Sequence, residues 1–171
     1  MLYVLLAFSL GLMVLGGVYL VTQFISLFSR APFVPTDNGR VQEMIRLAHI
    51  VSQMRVVDLG SGDGRIVFAA ARAGAYAVGY EMNILLVWWS KCVALFKGLS
   101  RHTHFHFGSY FGKDLREFDV VFLYVLPSEM ARIESWLKKT LKPGARVIVH
   151  AFPFPTWKPI EVHERMYVYV V

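Results

Sequence analysis

The sequence predicts an α/β chain: a doubly wound, mostly parallel sheet preceded by one N-terminal transmembrane helix. Three observations predict it. Residues 1–29 contain no Asp, Glu, Lys, Arg or His. Beyond residue 50, short apolar runs alternate with helical periodicities, which is the pattern of βαβ units. One of those runs, Val56-Val57-Asp58-Leu59, leads into Gly60-Ser61-Gly62-Asp63-Gly64. That is a strand feeding a glycine-rich turn that opens a helix.

The chain has 171 residues, is 56% hydrophobic and has a mean hydropathy of +0.46. That apolar content excludes a disordered protein. All 18 basic and 12 acidic residues fall in 30–171, so the expected organisation is an anchor over 1–29 and one domain over 30–171. As a helix, 1–29 would be about 43 Å long, enough to cross a ~30 Å hydrocarbon core. A cleaved signal peptide normally carries an early basic residue and a shorter apolar run, so a retained anchor is expected. Arg30, Arg40 and Arg46 follow it. The positive-inside rule then places the domain on the cytoplasmic side of a membrane, or the matrix side in a mitochondrion. Gly11 and Gly16 lack the spacing of a dimerising helix. The single cysteine, Cys92, excludes an internal disulfide and a cysteine-based zinc cluster. The net charge is +6, but no basic run is interleaved with aromatics, so no nucleic-acid partner is expected. Attraction to anionic headgroups is compatible with a tethered basic domain.

The elements follow in order. Residues 31–35, with prolines at 32 and 35, read as an extended linker. Thr36 or Asp37 caps a helix to about His49, with Val41, Met44, Ile45 and Ala48 on one face. Strands are expected over 55–59, 75–81, 102–107, 119–125 and 145–152, and a closing hairpin over 161–171. Helices are expected over 64–73, 84–99 and 128–141. Of Trp88 and Trp89, one is expected to pack under the sheet and the other to face the bilayer or substrate. Glu129 and Glu134 read as the solvent face of their helix.

The turn carries the chemistry. Glycines allow positive φ and let a ligand lie against bare backbone. Asp58 ends its strand and Glu81 ends the next. In such sheets ligands bind beyond the carboxyl ends of the strands, where a carboxylate can accept both hydroxyls of a ribose. A dinucleotide turn needs G-x-G-x-x-G, but Arg65 stands at the third glycine. Asp63 also stands where a pyrophosphate would meet the helix N-terminus. A cationic cofactor suits this acidic turn better.

Asp58-Leu59-Gly60-Ser61-Gly62-Asp63-Gly64-Arg65 resembles motif I of class I S-adenosylmethionine-dependent methyltransferases. Together with Pro32-Phe33-Val34-Pro35-Thr36, Val78-Gly79-Tyr80-Glu81-Met82-Asn83, Leu86-Val87-Trp88-Trp89-Ser90 and the Phe152–Pro159 stretch, it is similar to one subgroup. These are the small protein-lysine methyltransferases related to the enzymes acting on the ATP synthase c-subunit and the adenine nucleotide translocase. The resemblance implies a Rossmann-like methyltransferase fold and S-adenosyl-L-methionine as cofactor. It implies a protein lysine as substrate, with membrane proteins among the candidates. It implies that Asp58, Gly60, Ser61, Gly62 and Asp63 line the methionine moiety, that Glu81 holds the ribose and that Met82 and Asn83 flank the adenine. Ser109 stands where many such enzymes carry an Asp near the adenine.

Methyl transfer to an amine needs position and a deprotonated, desolvated nucleophile. Tyr124, at the end of the fourth strand, is the candidate catalytic residue and would orient the amine. Pro32, Val34, Pro35, Thr36, Phe152 and Trp157 are the candidate walls of the lysine channel. Tyr124-Val125-Leu126-Pro127 is not the Asn/Asp-Pro-Pro-Tyr that grips planar amino groups. His102, His104 and His106 alternate on one strand and are expected to be polar residues of an edge face, with no metal. His150 could approach the site. The alternatives are methyl transfer to a small hydrophobic acceptor (a quinone or lipid), and a non-catalytic cofactor-binding module at a membrane.

Overall fold

The computed structural model describes residues 1–28 and 36–171 and, within 1–28, the side chains of all but residues 2, 4, 15, 18 and 21–28. The chain divides into two compact units, Met1–Phe33 and Val34–Val171. The first holds one helix, α1 (Leu2–Phe28). Among the described residues no helix is long and apolar enough to cross a membrane. The transmembrane helix expected over 1–29 is therefore not shown by the structure. The expected linker over 31–35 lies outside the described residues, and with it Arg30, Pro32, Val34 and Pro35.

The second unit is built on one seven-stranded mixed sheet. Its strands are β1 (Arg55–Leu59), β2 (Tyr76–Glu81), β3 (Thr103–Phe107), β4 (Val120–Leu123), β5 (Arg146–His150), β6 (Glu161–His163) and β7 (Met166–Val170), in the order 3-2-1-4-5-7-6. Strands β1 to β5 pair in parallel, and β7 runs antiparallel to both β5 and β6. The helices are α2 (Asn38–Ala48), α3 (Arg65–Arg72), α4 (Ile84–Phe96) and α5 (Met130–Thr140). Asp37 caps α2 by accepting the Arg40 N–H at 3.1 Å.

The pleat sorts the core. Val56 of β1, Val120 and Phe122 of β4 and Ile148 of β5 pack with α2, α3 and α4. Val57, Leu59, Val121, Leu123, Val147 and Val149 pack with Met130, Ile133 and Leu137 of α5. Both faces are covered, which is why these strands read as continuous apolar runs rather than as alternation. The strand order reverses between β1 and β4, so the crevice at their carboxyl ends is the binding position of such a sheet.

Three local expectations are corrected. Glu134 is not on a solvent face but is 3% exposed. Its carboxylate accepts the Thr156 N–H at 3.1 Å, the Thr156 hydroxyl and the Lys138 ammonium at 2.6 Å. Burial opposes its ionisation, yet those donors outweigh it and hold its carboxyl below the usual range. Trp88 and Trp89 are both exposed, at 65% and 55%. Neither packs under the sheet, because α4 is apolar all round and only Val87, Ser90 and Ala94 are buried. The helix also ends at Phe96, three residues early, with Gly98 at φ +66 just beyond. The histidines of β3 stack on tyrosines of β2, His104 on Tyr76 and His106 on Tyr80, with ring centroids 4.8 and 5.3 Å apart. Among the described residues no group of three or more His, Cys, Asp or Glu side chains is arranged to hold a metal ion.

The segment after β5 is pinned from two sides, by Glu134 at Thr156 and by the Tyr169 hydroxyl, which accepts the Phe154 N–H at 2.9 Å. Tyr169 is fully buried. Replacing Tyr169 with Phe leaves that buried N–H without an acceptor, so stability should fall by about 1–3 kcal/mol. Urea denaturation of the two proteins checks it, and an unchanged midpoint would refute the pinning.

Candidate active site

The glycine-rich turn folds back on β2. The Gly60 and Ser61 N–H groups both donate to the Tyr80 carbonyl at 2.9 Å, and the Gly64 N–H donates to the Ser61 carbonyl at 2.8 Å. Gly60, Gly62 and Gly64 have φ of +98, +53 and +83, the left-handed region that other residues enter at a cost. At Gly64 a Cβ would also lie 2.9 Å from the Phe105 ring, and at Gly79 it would lie 2.6 Å from the Ser61 hydroxyl. Bare backbone at both positions lets the turn seat on the sheet.

Glu81 closes the turn from the side. One carboxylate oxygen accepts the Gly62 N–H at 2.9 Å and the other the Asn83 N–H at 2.8 Å. The Asn83 side chain caps α4, accepting the Leu85 and Leu86 N–H groups. Met82 beside it is exposed. The Gly108 N–H donates to the Glu81 carbonyl at 2.9 Å, which brings the start of the loop after β3 to this edge. In that loop Ser109 is exposed, and its hydroxyl accepts the Phe111 N–H.

Asp58 lies buried at the root of the turn. Burial first, then the Glu81 and Asp63 carboxylates, push its pKa up to about 8. Asp63 carries a partner of its own: Arg65 meets its carboxylate at 2.5 and 2.9 Å, and the same guanidinium donates to the Thr36 carbonyl. Arg65 thus ties the turn to the start of α2 and places Thr36 at this end of the sheet. The Ser61 hydroxyl is buried without a hydrogen-bond partner. A surplus of carboxylate charge, an unpartnered hydroxyl and bare backbone fit a cationic nucleoside and would repel a pyrophosphate.

Tyr124 follows β4 directly. Asp58, Tyr124 and His150 share one parity of the pleat, the α2 and α3 side, because Asp58 pairs with Phe122 and Phe122 with Ile148. Tyr124 and His150 lie with ring centroids 4.4 Å apart. His150 is buried, its Nδ1 has no partner, and burial followed by Arg40 and Arg165 pushes its pKa down, against Asp37. Ala151, at φ +76, turns the chain immediately after it. A groove of about 360 Å³, lined by Asp37, Arg40, Glu43, His163, Glu164 and Met166 among others, adjoins this edge, since Met166 pairs with His150. Phe152 lies under the Arg165 guanidinium. Trp157 stacks on Phe154 and packs on Tyr169, so these ring contacts place it against the α5 side of the core.

Sequence reading missed the roles of Arg65, Gly79 and the Tyr124–His150 pair. The parity of residues 58, 124 and 150 on strands of known register would have found the last; the first two have no local signal.

An acid whose pKa is raised on folding contributes stability that is complete below its unfolded value and is lost as pH rises toward the folded one. Between pH 3.8 and about 8 the cost from Asp58 is on the order of 5 kcal/mol. Asp58→Asn should therefore raise the melting temperature at pH 8 and change it little at pH 4. Equal shifts at the two pH values would show that Asp58 does not titrate in this way.

Three comparisons bear on this geometry. The family model described as the ANTKMT methyltransferase domain matches residues 58–161. The lysine N-methyltransferase of the ATP synthase c-subunit from Xenopus laevis is 39% identical over 128 residues, 75% of this chain and 56% of that protein. A protein-lysine N-methyltransferase of Saccharolobus islandicus is 31% identical over 156 residues, 85% of this chain and 97% of that one. The crystal structure of an RNA methyltransferase from Salinibacter ruber in complex with S-adenosyl-L-homocysteine superposes with a TM-score of 0.77 at 37% identity, covering 80% of this chain and 93% of that one. This chain spans a little over half the length of the vertebrate relatives. On the turn, the sheet order and these matches, the chain belongs to the ANTKMT methyltransferase domain family.

Proposed function

We propose that this chain is an S-adenosylmethionine-dependent methyltransferase acting on lysine side chains of proteins. The observation that carries the reading is the glycine turn seated over the buried Asp58 carboxyl and closed by Glu81, an acidic cradle of bare backbone at the carboxyl end of β1. Such a site gains most from a ligand that brings positive charge. The donor supplies an electrophilic methyl group on a sulfonium. Glu81 accepts the ribose hydroxyls, Asp58 and the bare turn receive the methionine end, and Met82, Asn83 and Ser109 border the adenine. Tyr124 orients the incoming amine through its hydroxyl, and His150 holds the tyrosine ring from behind. Thr36 and Phe152 border the approach of the amine. Lysine is favoured over other acceptors by the relatives named as lysine N-methyltransferases in animals and an archaeon. We further propose that residues 1–29 anchor the chain in a bilayer, with the domain on the cytoplasmic or matrix side. The support is the absence of any charged residue in 1–29 and the length of α1, 27 residues.

Incubation of the full chain with radiolabelled donor and a membrane fraction should label a protein band. Label in the lipid extract alone would favour a quinone or lipid acceptor, and label in RNA would overturn the lysine reading. Glu81→Ala should weaken donor binding by about 100-fold, since two charged hydrogen bonds are lost. Tyr124→Phe should lower kcat by about tenfold or more while leaving donor affinity unchanged. Positive charge beside Asp58 lowers its pKa, so donor binding at pH 7 should release protons. Calorimetry in buffers of different ionisation enthalpy measures that release, and Asp58→Asn should abolish it.

A further inference from the structure

We propose that the outer face of α4 is a membrane-docking surface that rests on the headgroup region of an anionic bilayer. Ile84, Leu85, Trp88, Trp89, Leu95 and Phe96 are all exposed, the last two at 69% and 92%. At 100° per residue they fall within a single stripe about 140° wide, opposite Val87, Ser90 and Ala94. Phe107, at the end of the neighbouring edge strand β3, is exposed as well. A contiguous apolar surface of this kind on a folded domain marks a partner.

Charge identifies the partner as lipid. Residues 82–113 contain Lys91, Lys97, Arg101 and Lys113 and no Asp or Glu. That one segment carries four of the six net positive charges of the chain. His102, His104 and His106 lie within it and add charge only on acidification. Two tryptophans and a phenylalanine on an apolar stripe, with Lys91 at its edge and no acid in the segment, match the interface between acyl chains and anionic headgroups. A second copy of this face would set its lysines against like charges. A nucleic-acid strand would use the aromatics but leave Ile84, Leu85 and Leu95 in water. The inference does not rest on methyl transfer.

The four tryptophans, at 88, 89, 136 and 157, all lie outside α1, so their fluorescence reports on the domain even if α1 inserts. The test places the full chain in vesicles of phosphatidylcholine and phosphatidylglycerol with brominated acyl chains. Bromine should quench the emission. Trp88→Phe with Trp89→Phe should remove most of the quenching, and Trp136→Phe should not. Leu95→Glu with Phe96→Glu, at positions that touch little of the core, should cut it severalfold, as should purely zwitterionic vesicles. A chain that cosediments with vesicles yet shows no bromine quenching overturns the docking face and leaves the anchor standing. Failure to cosediment overturns both. A Trp88 and Trp89 emission shift that follows chain concentration without lipid, or addition of single-stranded RNA without lipid, overturns the proposal in favour of a second copy or a nucleic acid. Donor binding measured on each variant separates these outcomes from a failure of the methyltransferase reading.

Discussion

The second unit is organised around the burial of one carboxyl group. A carboxylate taken out of water at the end of β1 costs far more than any single apolar contact returns. The fold distributes the acidic charge gathered there in three ways. Asp63 is given a guanidinium, Arg65. Glu81 is given two backbone N–H groups. Asp58 is given neither; it is left among apolar strands with its proton retained. An incompletely compensated group in a low-dielectric site is where an added cation changes the free energy most. The same geometry requires the glycines, because a side chain at Gly64 would meet the Phe105 ring and one at Gly79 on β2 would push Ser61 of the turn off the sheet.

Much of this was legible because it is local. The strand, the turn and the helix it opens lie within one stretch of eighteen residues, 55–72, and each residue's role follows from its neighbours. The first strand came through with its expected ends and the other elements with ends displaced by at most three residues, since fraying and caps are decided by backbone hydrogen bonds rather than by apolar spacing. What escaped involves contacts between distant positions. Arg65 reaches Thr36, 29 residues away, and Glu134 reaches Thr156, 22 residues away. Neither polar residue announces a buried partner, and Glu134 sits on a helix whose charged positions otherwise read as solvent-facing. Tyr124 and His150 meet only because β4 and β5 pair in one particular register.

Helix α4 escaped for a different reason. Periodicity finds the buried face of a helix only when the other face is polar. In α4 both faces are apolar, so the pattern is silent about which tryptophan packs inward, and the answer is neither. A helix buried on a narrow strip of Val87, Ser90 and Ala94 keeps the small residues for close approach to the sheet, with the Ser90 hydroxyl directed to the Gly62 carbonyl. The large residues are left on the outside.

The position of that outside face matters for the site. Strand β2 ends at Glu81 and α4 begins at Ile84, so the helix starts within three residues of the carboxylate assigned to the ribose. A domain resting on α4 therefore holds the carboxyl edge of its sheet close to the surface it rests on, rather than pointing it at random into solution. Confining enzyme and acceptor to one thin layer raises their effective concentration without strengthening any contact between them. It also relaxes the demand on the approach channel. On the proposed function, a surface that already supplies proximity leaves the site only to orient an amine and strip its water.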